Sequence, residues 1–339
     1  MNIRKLALLI PIAAAACGDS APLSPDALRR DEVPLAAGAF AQHAPVTAEG
    51  YLDGADGVRL FYHVVGTGPD TVVVVNGGPG LSYRYMAPDL APLAHGRTVV
   101  YYDPRGAGRS TLVFDPAQLA PARHVADLEA LRAHFGIGSL SLVGHSFGAI
   151  IAAQYAATYP ATTERLVLLN PAPATAAHGA TFTENRLART SPEQQARQGE
   201  LIGQLLSGTA ADPVGACTEL FASLFRVYFH DQANLAGMRG AWCDVPPAAA
   251  ANSAFTLLVG IGSIPEDLRP LAATVSAPAL VVHATADPIP AASSAAWAAA
   301  LPDGELLTID GAGHFPWLEQ PVPFFTRVNE FLRRGDIVN

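Results

Sequence analysis

The sequence predicts an open, mostly parallel α/β sheet with helices on both faces and a long helical insertion. Two patterns predict the sheet. Short runs of valine, leucine and isoleucine that stop at glycine or a turn recur along the chain, which is the composition of strands buried on both faces. Helical stretches alternate with those runs, as in a doubly wound sheet. A third pattern predicts the insertion. Over 174–270 helical spacing continues with no convincing buried strand, and the strand pattern resumes afterwards.

The elements follow in order. Residues 50–70 (GYLDGADGVRLFYHVVGTGPD) read as two strands joined by a Gly-Ala-Asp-Gly turn. TVVVVN at 71–76 is a buried strand ending at glycines, 85–93 is expected to form a short helix, and RTVVYYD at 97–103 is the next strand. The helix over 122–136 is predicted by Val125, Leu128, Leu131 and Phe135 at helical spacing. SLSLVG is a strand, SFGAIIAAQYAATYP a helix, and RLVLLNPAP a strand again. SPEQQARQGELIGQLLSG and CTELFASLFRVYFHDQANLAG supply helices to the insertion. APALVVHATAD, PAASSAAWAAALP, GELLTIDGAGH and PVPFFTRVNEFLRRG then read as strand, helix, strand and terminal helix. The expected organisation is a core over 46–173 and 271–339, with a helical cap over 174–270.

The first 17 residues carry Arg4 and Lys5, then LALLIPIAAAA, then Cys17, the layout of a secretory signal. The run is too short for a comfortable membrane span. The cysteine directly after the alanines resembles the bacterial lipoprotein signal, which implies cleavage before Cys17 and lipid attachment to it. Residues 18–45, rich in Ala, Pro and small polar residues, read as a flexible tether. The expected location is therefore outside the cytoplasm, in the bacterial periplasm or on the outer membrane through the lipid. Export leaves two further cysteines, Cys217 and Cys243, and an even number in an exported chain predicts a disulfide. With Lys+Arg 21 against Asp+Glu 30, the chain has no nucleic-acid footprint.

The chemistry centres on Gly144-His145-Ser146-Phe147-Gly148, between a strand and a helix. A sharp strand-to-helix turn lifts a serine hydroxyl above the sheet end, poised to attack a carbonyl. A serine alcohol needs a base, and the base needs an orienting group. Asp287 ends the strand LVVHATAD, and His314 lies in the Gly-rich loop after the next strand, so the order Ser, Asp, His is that of the G-x-S-x-G hydrolases. Asp310 is a weaker competitor for the orienting role, and Glu319 reads as structural. The Phe147 N–H, just after the nucleophile, is expected to stabilise the oxyanion. The second donor is expected in the glycine loop Asn76-Gly77-Gly78-Pro79-Gly80. The triad needs no cofactor and no metal.

On these residues the chain resembles α/β-hydrolases of the proline iminopeptidase-like group over about 45–335. That group's His-Gly-Gly-Pro-Gly loop is matched here with Asn76 in place of His, and its Asp-x-Arg-Gly-x-Gly-x-Ser stretch by Asp103 to Ser110. The resemblance implies an α/β-hydrolase fold with a helical cap over the site, and Gly78 N–H as the second oxyanion donor. The Asp103–Arg105 pair is expected to be an internal ion pair shaping its loop. Cap acids hold the substrate's amino terminus in such peptidases, and Glu219, at the start of an aromatic stretch, is the expected counterpart. Phe147, Phe315 and Trp317 read either as the lining of an apolar pocket or as simple core, and Trp317 is the expected substrate contact among them. The elbow departs from the peptidases' Gly-Gly-Ser-Trp-Gly. The expected function is acyl-enzyme hydrolysis by an aminopeptidase that releases N-terminal residues, proline among them, from short peptides. A carboxylesterase or lactonase on small esters is the alternative.

Overall fold

The computed structural model describes residues 46–333 apart from residue 244. The expected signal with Cys17 and the tether over 18–45 lie outside the described residues. Eight strands form one sheet: β1 (Val46–Asp53), β2 (Arg59–Val65), β3 (Asp70–Val75), β4 (Arg97–Tyr102), β5 (Leu140–His145), β6 (Thr163–Leu169), β7 (Ala279–Ala284) and β8 (Gly304–Ile309). Their order is β1-β2-β4-β3-β5-β6-β7-β8. The pairs β1–β2 and β2–β4 are antiparallel, and every other pair is parallel.

Side-chain alternation explains why the strands read as continuous apolar runs. Val72, Val74, Val99, Tyr101, Val143, Val167 and Val282 enter one layer. Val73, Val75, Val100, Leu142, Leu166, Leu168 and Val281 enter the other. The second layer is closed by α1 (Pro121–His134), α2 (Phe147–Thr158) and α8 (Ala291–Ala300), through Val125, Leu128, Ile150, Tyr155 and Trp297. The first is closed by the short α9 (Pro316–Glu319), through Trp317, by α10 (Pro321–Arg333), through Phe324, Val328 and Phe331, and by the insertion. Each such buried aliphatic side chain contributes about 1.5–3 kcal/mol before the entropy of ordering it is subtracted.

Between β6 and β7 the chain forms α3 (Ala176–Ala188), α4 (Pro192–Ser207), α5 (Pro213–Arg226) and α6 (Pro247–Gly262), followed by the short α7 (Arg269–Ala272). Local sequence sets their limits. A Ser191–Gln194 capping box opens α4, and Gly208, at φ 69°, closes it. The Asp212 carboxylate caps α5 by accepting from the Gly215 N–H. The Cys217–Cys243 disulfide, with Cα atoms 5.9 Å apart, ties α5 to the segment before α6, as the cysteine count predicts. The cap rests directly on the core loop, since a Cβ added at Gly260 would lie 2.2 Å from the Pro79 ring.

Three expectations differ from the structure. Residues 85–93 do not form one helix; the segment is broken into turns with 3-10 pieces at Tyr83–Tyr85 and Ala91–Ala94. Pro88 and Pro92 lack the N–H donors a continuous helix would use there. The aromatic stretch of the cap leaves helix after Arg226, and only Gln232–Gly237 returns to a 3-10 turn. Asp103 and Arg105 do not pair with each other. Arg105 Nε and Nη2 each lie 2.7 Å from a different oxygen of buried Asp127, an α1 residue. Asp103 instead accepts from the Tyr83 and Arg109 N–H groups, at 3.1 and 2.8 Å. Burial, the largest influence on it, pushes its carboxyl up to about 7.

Candidate active site

Ser146 occupies the turn between β5 and α2 with φ 55° and ψ −117°. A non-glycine residue held there stores about 1–3 kcal/mol of strain, which the surroundings must over-determine. They do so through three backbone bonds. The Ser146 N–H donates to the Leu169 carbonyl at 2.9 Å, and the Ser146 carbonyl accepts from the Ala149 and Ala172 N–H groups, each at 3.1 Å. The flanking glycine is required by space: a Cβ at Gly148 would lie 2.2 Å from the Val75 carbonyl oxygen.

The loops after β7 and β8 bring Asp287 and His314 into contact. His314 Nδ1 and Asp287 Oδ2 are 2.7 Å apart, and both side chains are sealed from solvent. The Asp287 carboxylate accepts two further bonds, from Asn170 Nδ2 at 2.6 Å and from the Ile289 N–H at 2.9 Å. Its orientation is therefore fixed from three directions, and its Oδ2 points at the imidazole. His314 Nε2 is buried with no hydrogen-bond partner among the described residues. That is the nitrogen a neighbouring serine would use, and such bonds often tighten only when substrate binds. Asp310 makes no bond to His314.

Asn170 escaped the sequence reading. It lies just past the end of β6 with φ 42°, a conformation asparagine tolerates better than most residues. Its position after a strand adjacent to β7 was the available signal, but only the sheet order reveals that adjacency.

The loop after β3 packs against the elbow. A Cβ at Gly77 would lie 2.9 Å from Ser146 Cβ, so only glycine lets the two loops meet. Asn76 pins the loop across its width by donating from Nδ2 to the Leu81 carbonyl. The Gly77 N–H is taken by the Tyr85 hydroxyl at 2.8 Å, whereas the Gly78 N–H has no acceptor among the described residues. The Phe147 N–H is at the first position of α2, where the helix itself offers no acceptor. Both expected oxyanion donors thus remain uncommitted.

A buried relay joins these parts, and it too was missed. The Tyr85 Oη accepts from Gly77 and lies 2.6 Å from His145 Nδ1; His145 Nε2 lies 3.1 Å from the His314 carbonyl oxygen. Burial holds the His145 pKa well below its usual value, with the His314 charge adding to the effect, so the ring is neutral. One assignment satisfies every atom. Tyr85 donates its proton to Nδ1, and the Nε2–H donates to the carbonyl.

Two expected substrate contacts are corrected. Glu219 is not a free carboxylate: it is half-exposed on the cap, with its two oxygens 2.7 Å from Arg197 Nε and Nη2. Trp317 is buried behind the elbow, edge-on to His145 with centroids 4.9 Å apart, and so supports His145 rather than lining a substrate pocket. Phe315 is likewise core, stacked on Phe229 at 4.7 Å. Glu319 is a staple. Its carboxylate accepts from the Gly313, His230 and Asp231 N–H groups and from Asn234 Nδ2, at 2.7 to 3.1 Å, joining the His314 loop to the cap.

Comparison with known proteins gives the family and the fold. The family described as the alpha/beta hydrolase fold matches residues 70–321. A proline iminopeptidase of Heyndrickxia coagulans is 23% identical over 295 residues, spanning 84% of this chain and 98% of that one. The crystal structure of a proline iminopeptidase from Mycobacterium smegmatis superposes with a TM-score of 0.62 at 22% identity, covering 86% of this chain and 99% of that chain. A thermophilic esterase from Thermogutta terrifontis is as similar in fold, with a TM-score of 0.62 at 23% identity, covering 85% and 98% of the two chains.

Proposed function

The chain belongs to the alpha/beta hydrolase fold family and is an enzyme of the serine hydrolase type, and from that premise we propose that it hydrolyses acyl compounds through an acyl-enzyme on Ser146. His314 Nε2 takes the Ser146 proton as the hydroxyl attacks a carbonyl. The oxyanion forms against the Phe147 and Gly78 N–H groups. His314 then protonates the leaving amine or alcohol, and water releases the acyl group by the same steps in reverse. Asp287, held by Asn170 and Ile289, keeps the imidazole in the tautomer with Nε2 free. The observation that carries this reading is the 2.7 Å His314–Asp287 contact, with an unpartnered Nε2, together with a serine at positive φ in the strand-to-helix turn.

The first substrate reading is an aminopeptidase acting on short peptides. It is supported by the Gly-Gly-Pro-Gly loop and by full-length similarity to a proline iminopeptidase. The second is a carboxylesterase or lactonase. A specific observation favours it: Glu219 is already paired with Arg197, so the carboxylate expected to meet a substrate ammonium has a cation of its own. Hydrolysis of a free-amino aminoacyl arylamide, its N-blocked form and a short acyl ester separates the two. Cleavage of the ester alone rejects the peptidase; preference for the free amine rejects the esterase.

Export through the Cys17 signal is part of the same proposal, and the Cys217–Cys243 disulfide supports it. Fractionation of cells, with Cys17→Ala releasing a lipid-anchored pool, tests it; a purely cytoplasmic product in both strains contradicts it.

A further inference from the structure

Arg186 is a buried cation that the chemistry above does not use. It lies on α3, only 7% exposed, and among the described residues its guanidinium meets no carboxylate and no hydrogen-bond acceptor. Two other buried arginines are firmly committed, Arg105 to Asp127 and Arg97 to Asn329. Its guanidinium nitrogens keep contact with solvent although the rest of the Arg186 side chain is buried, so the charge is both uncommitted and reachable by a carboxylate that arrives from outside.

The face of α3 that carries Arg186 rests on the catalytic loops. Asn185 Nδ2 donates to the Pro288 carbonyl at 2.9 Å, and Arg189 Nη1 donates to the Ala286 carbonyl at 2.8 Å, so the helix brackets Asp287 from both sides. One turn earlier Phe182 packs on Tyr228, with centroids 5.8 Å apart. The Arg186 charge reaches the Tyr228 phenol and opposes the rise that burial imposes on its pKa. Tyr228 in turn covers His314. Their rings are 5.1 Å apart, and the Tyr228 carbonyl accepts the His314 N–H at 2.8 Å. The Tyr228 hydroxyl has no partner among the described residues.

We propose that Arg186 and Tyr228 form a subsite for a carboxylate carried by the leaving group of the substrate. The proposal rests on the acyl-transfer reading of Ser146 for its direction. His314 hands its proton to the departing atom, so the leaving group exits on the His314 side, where Tyr228 and Arg186 lie. A planar guanidinium fork and a phenol donor suit a carboxylate. In the peptidase reading, the substrate is a dipeptide whose second residue has a free C-terminus. In the esterase reading, it is an ester of a hydroxy acid.

Calorimetry on the Ser146→Ala protein tests the subsite without turnover. The probes are a free-amino dipeptide against its C-terminal amide, and an acyl ester of glycolic acid against the methyl ester of that compound. In at least one pair the free acid binds about tenfold or more tightly than its neutral partner, the scale of a charge-assisted pair. Adding Arg186→Gln removes that preference, Arg186→Lys keeps part of it, and Tyr228→Phe weakens it a few-fold. Thermal melting checks that each variant folds. Equal affinity within both pairs, no measurable binding of either acid, or a preference that survives Arg186→Gln overturns the subsite. With Ser146 present, Arg186→Gln lowers turnover of the acidic substrate about tenfold or more beyond that of its neutral partner; an equal loss on neutral and acidic substrates would mean that Arg186 only steadies Asp287 and would overturn the subsite. Failure to turn over any probe, with the binding preference intact, rejects acyl transfer and leaves the subsite standing.

Discussion

The Tyr85 hydroxyl and His145 Nδ1 lie 2.6 Å apart, and through this bond the oxyanion loop is tied to the loop of His314. Gly77 feeds the relay at one end, and the His314 carbonyl receives it at the other. Tyr85→Phe leaves the Gly77 N–H and His145 Nδ1 buried without partners. The expected loss is about 2–6 kcal/mol of stability, since each of the two orphaned groups costs about 1–3 kcal/mol. A fall in kcat with little change in KM is expected alongside, because the relay positions groups that act on the transition state. Urea unfolding and steady-state kinetics on one preparation measure both. Unchanged stability and kcat would show that the bond carries no weight.

Asn170 holds Asp287 from the side opposite Ile289. Asn170→Ala removes one of the three donors on that carboxylate, so the imidazole loses orientation while the triad itself stays intact. We expect kcat to fall about tenfold or more with KM nearly unchanged, the pattern of an interaction that matters mainly in the transition state. A change confined to KM would instead place Asn170 in substrate binding.

Acid destabilises this fold through its histidines. Burial lowers His124 to about 3, His145 well below its usual value, and His283 in the same direction. Below the ordinary histidine value of about 6.5, the unfolded chain binds protons that these folded rings refuse, so stability present above that pH is lost as pH falls. Asp103 acts in the opposite sense. With its folded carboxyl at about 7, the unfolded chain ionises first, and stability falls as pH rises from about 4 towards 7. Burial raises the Asp127 carboxyl in the same direction as Asp103. Each group contributes a slope of up to about 1.4 kcal/mol per pH unit, so three histidines outweigh two carboxyls on the acid side. The melting temperature should be lower at pH 5 than at pH 7.5; an equal or higher value at pH 5 would contradict this.

Reduction of Cys217–Cys243 should loosen the cap. The bridge spans 26 residues, a loop whose closure in the unfolded chain corresponds to about 3–4 kcal/mol. Cys217→Ser with Cys243→Ser should lower the unfolding free energy by that order. Trp242, adjacent to the bridge, stacks on Tyr85 with centroids 5.7 Å apart, so its fluorescence should shift as well. No change in either signal would show that the bridge does not constrain the cap.

The sheet was legible because strands buried on both faces write themselves as uninterrupted valine and leucine runs, and the chain of TVVVVN, SLSLV and RLVLL fell where β3, β5 and β6 lie. Ser146, Asp287 and His314 were visible as strand-end residues in a recognisable order. Their supports were not. Tyr85 meets His145 across 60 positions and Asn170 meets Asp287 across 117, separations set by sheet order rather than by any local pattern. The partner of Glu219 was hidden for a related reason: a position beside an aromatic stretch does not say which face of the cap it occupies, and Arg197 on α4 binds it. The Asp103–Arg105 spacing misled in the same way, because Asp127 on α1 outcompetes a neighbour two residues away.

The central claim is that Ser146 is the nucleophile, and covalent trapping tests it most directly. A fluorophosphonate probe incubated with the full chain and mapped by mass spectrometry of its peptides should label Ser146 alone. His314→Ala should slow that labelling by orders of magnitude, and Ser146→Ala should abolish both labelling and turnover while the protein stays folded. Label on another residue, or turnover retained by folded Ser146→Ala, would contradict the account.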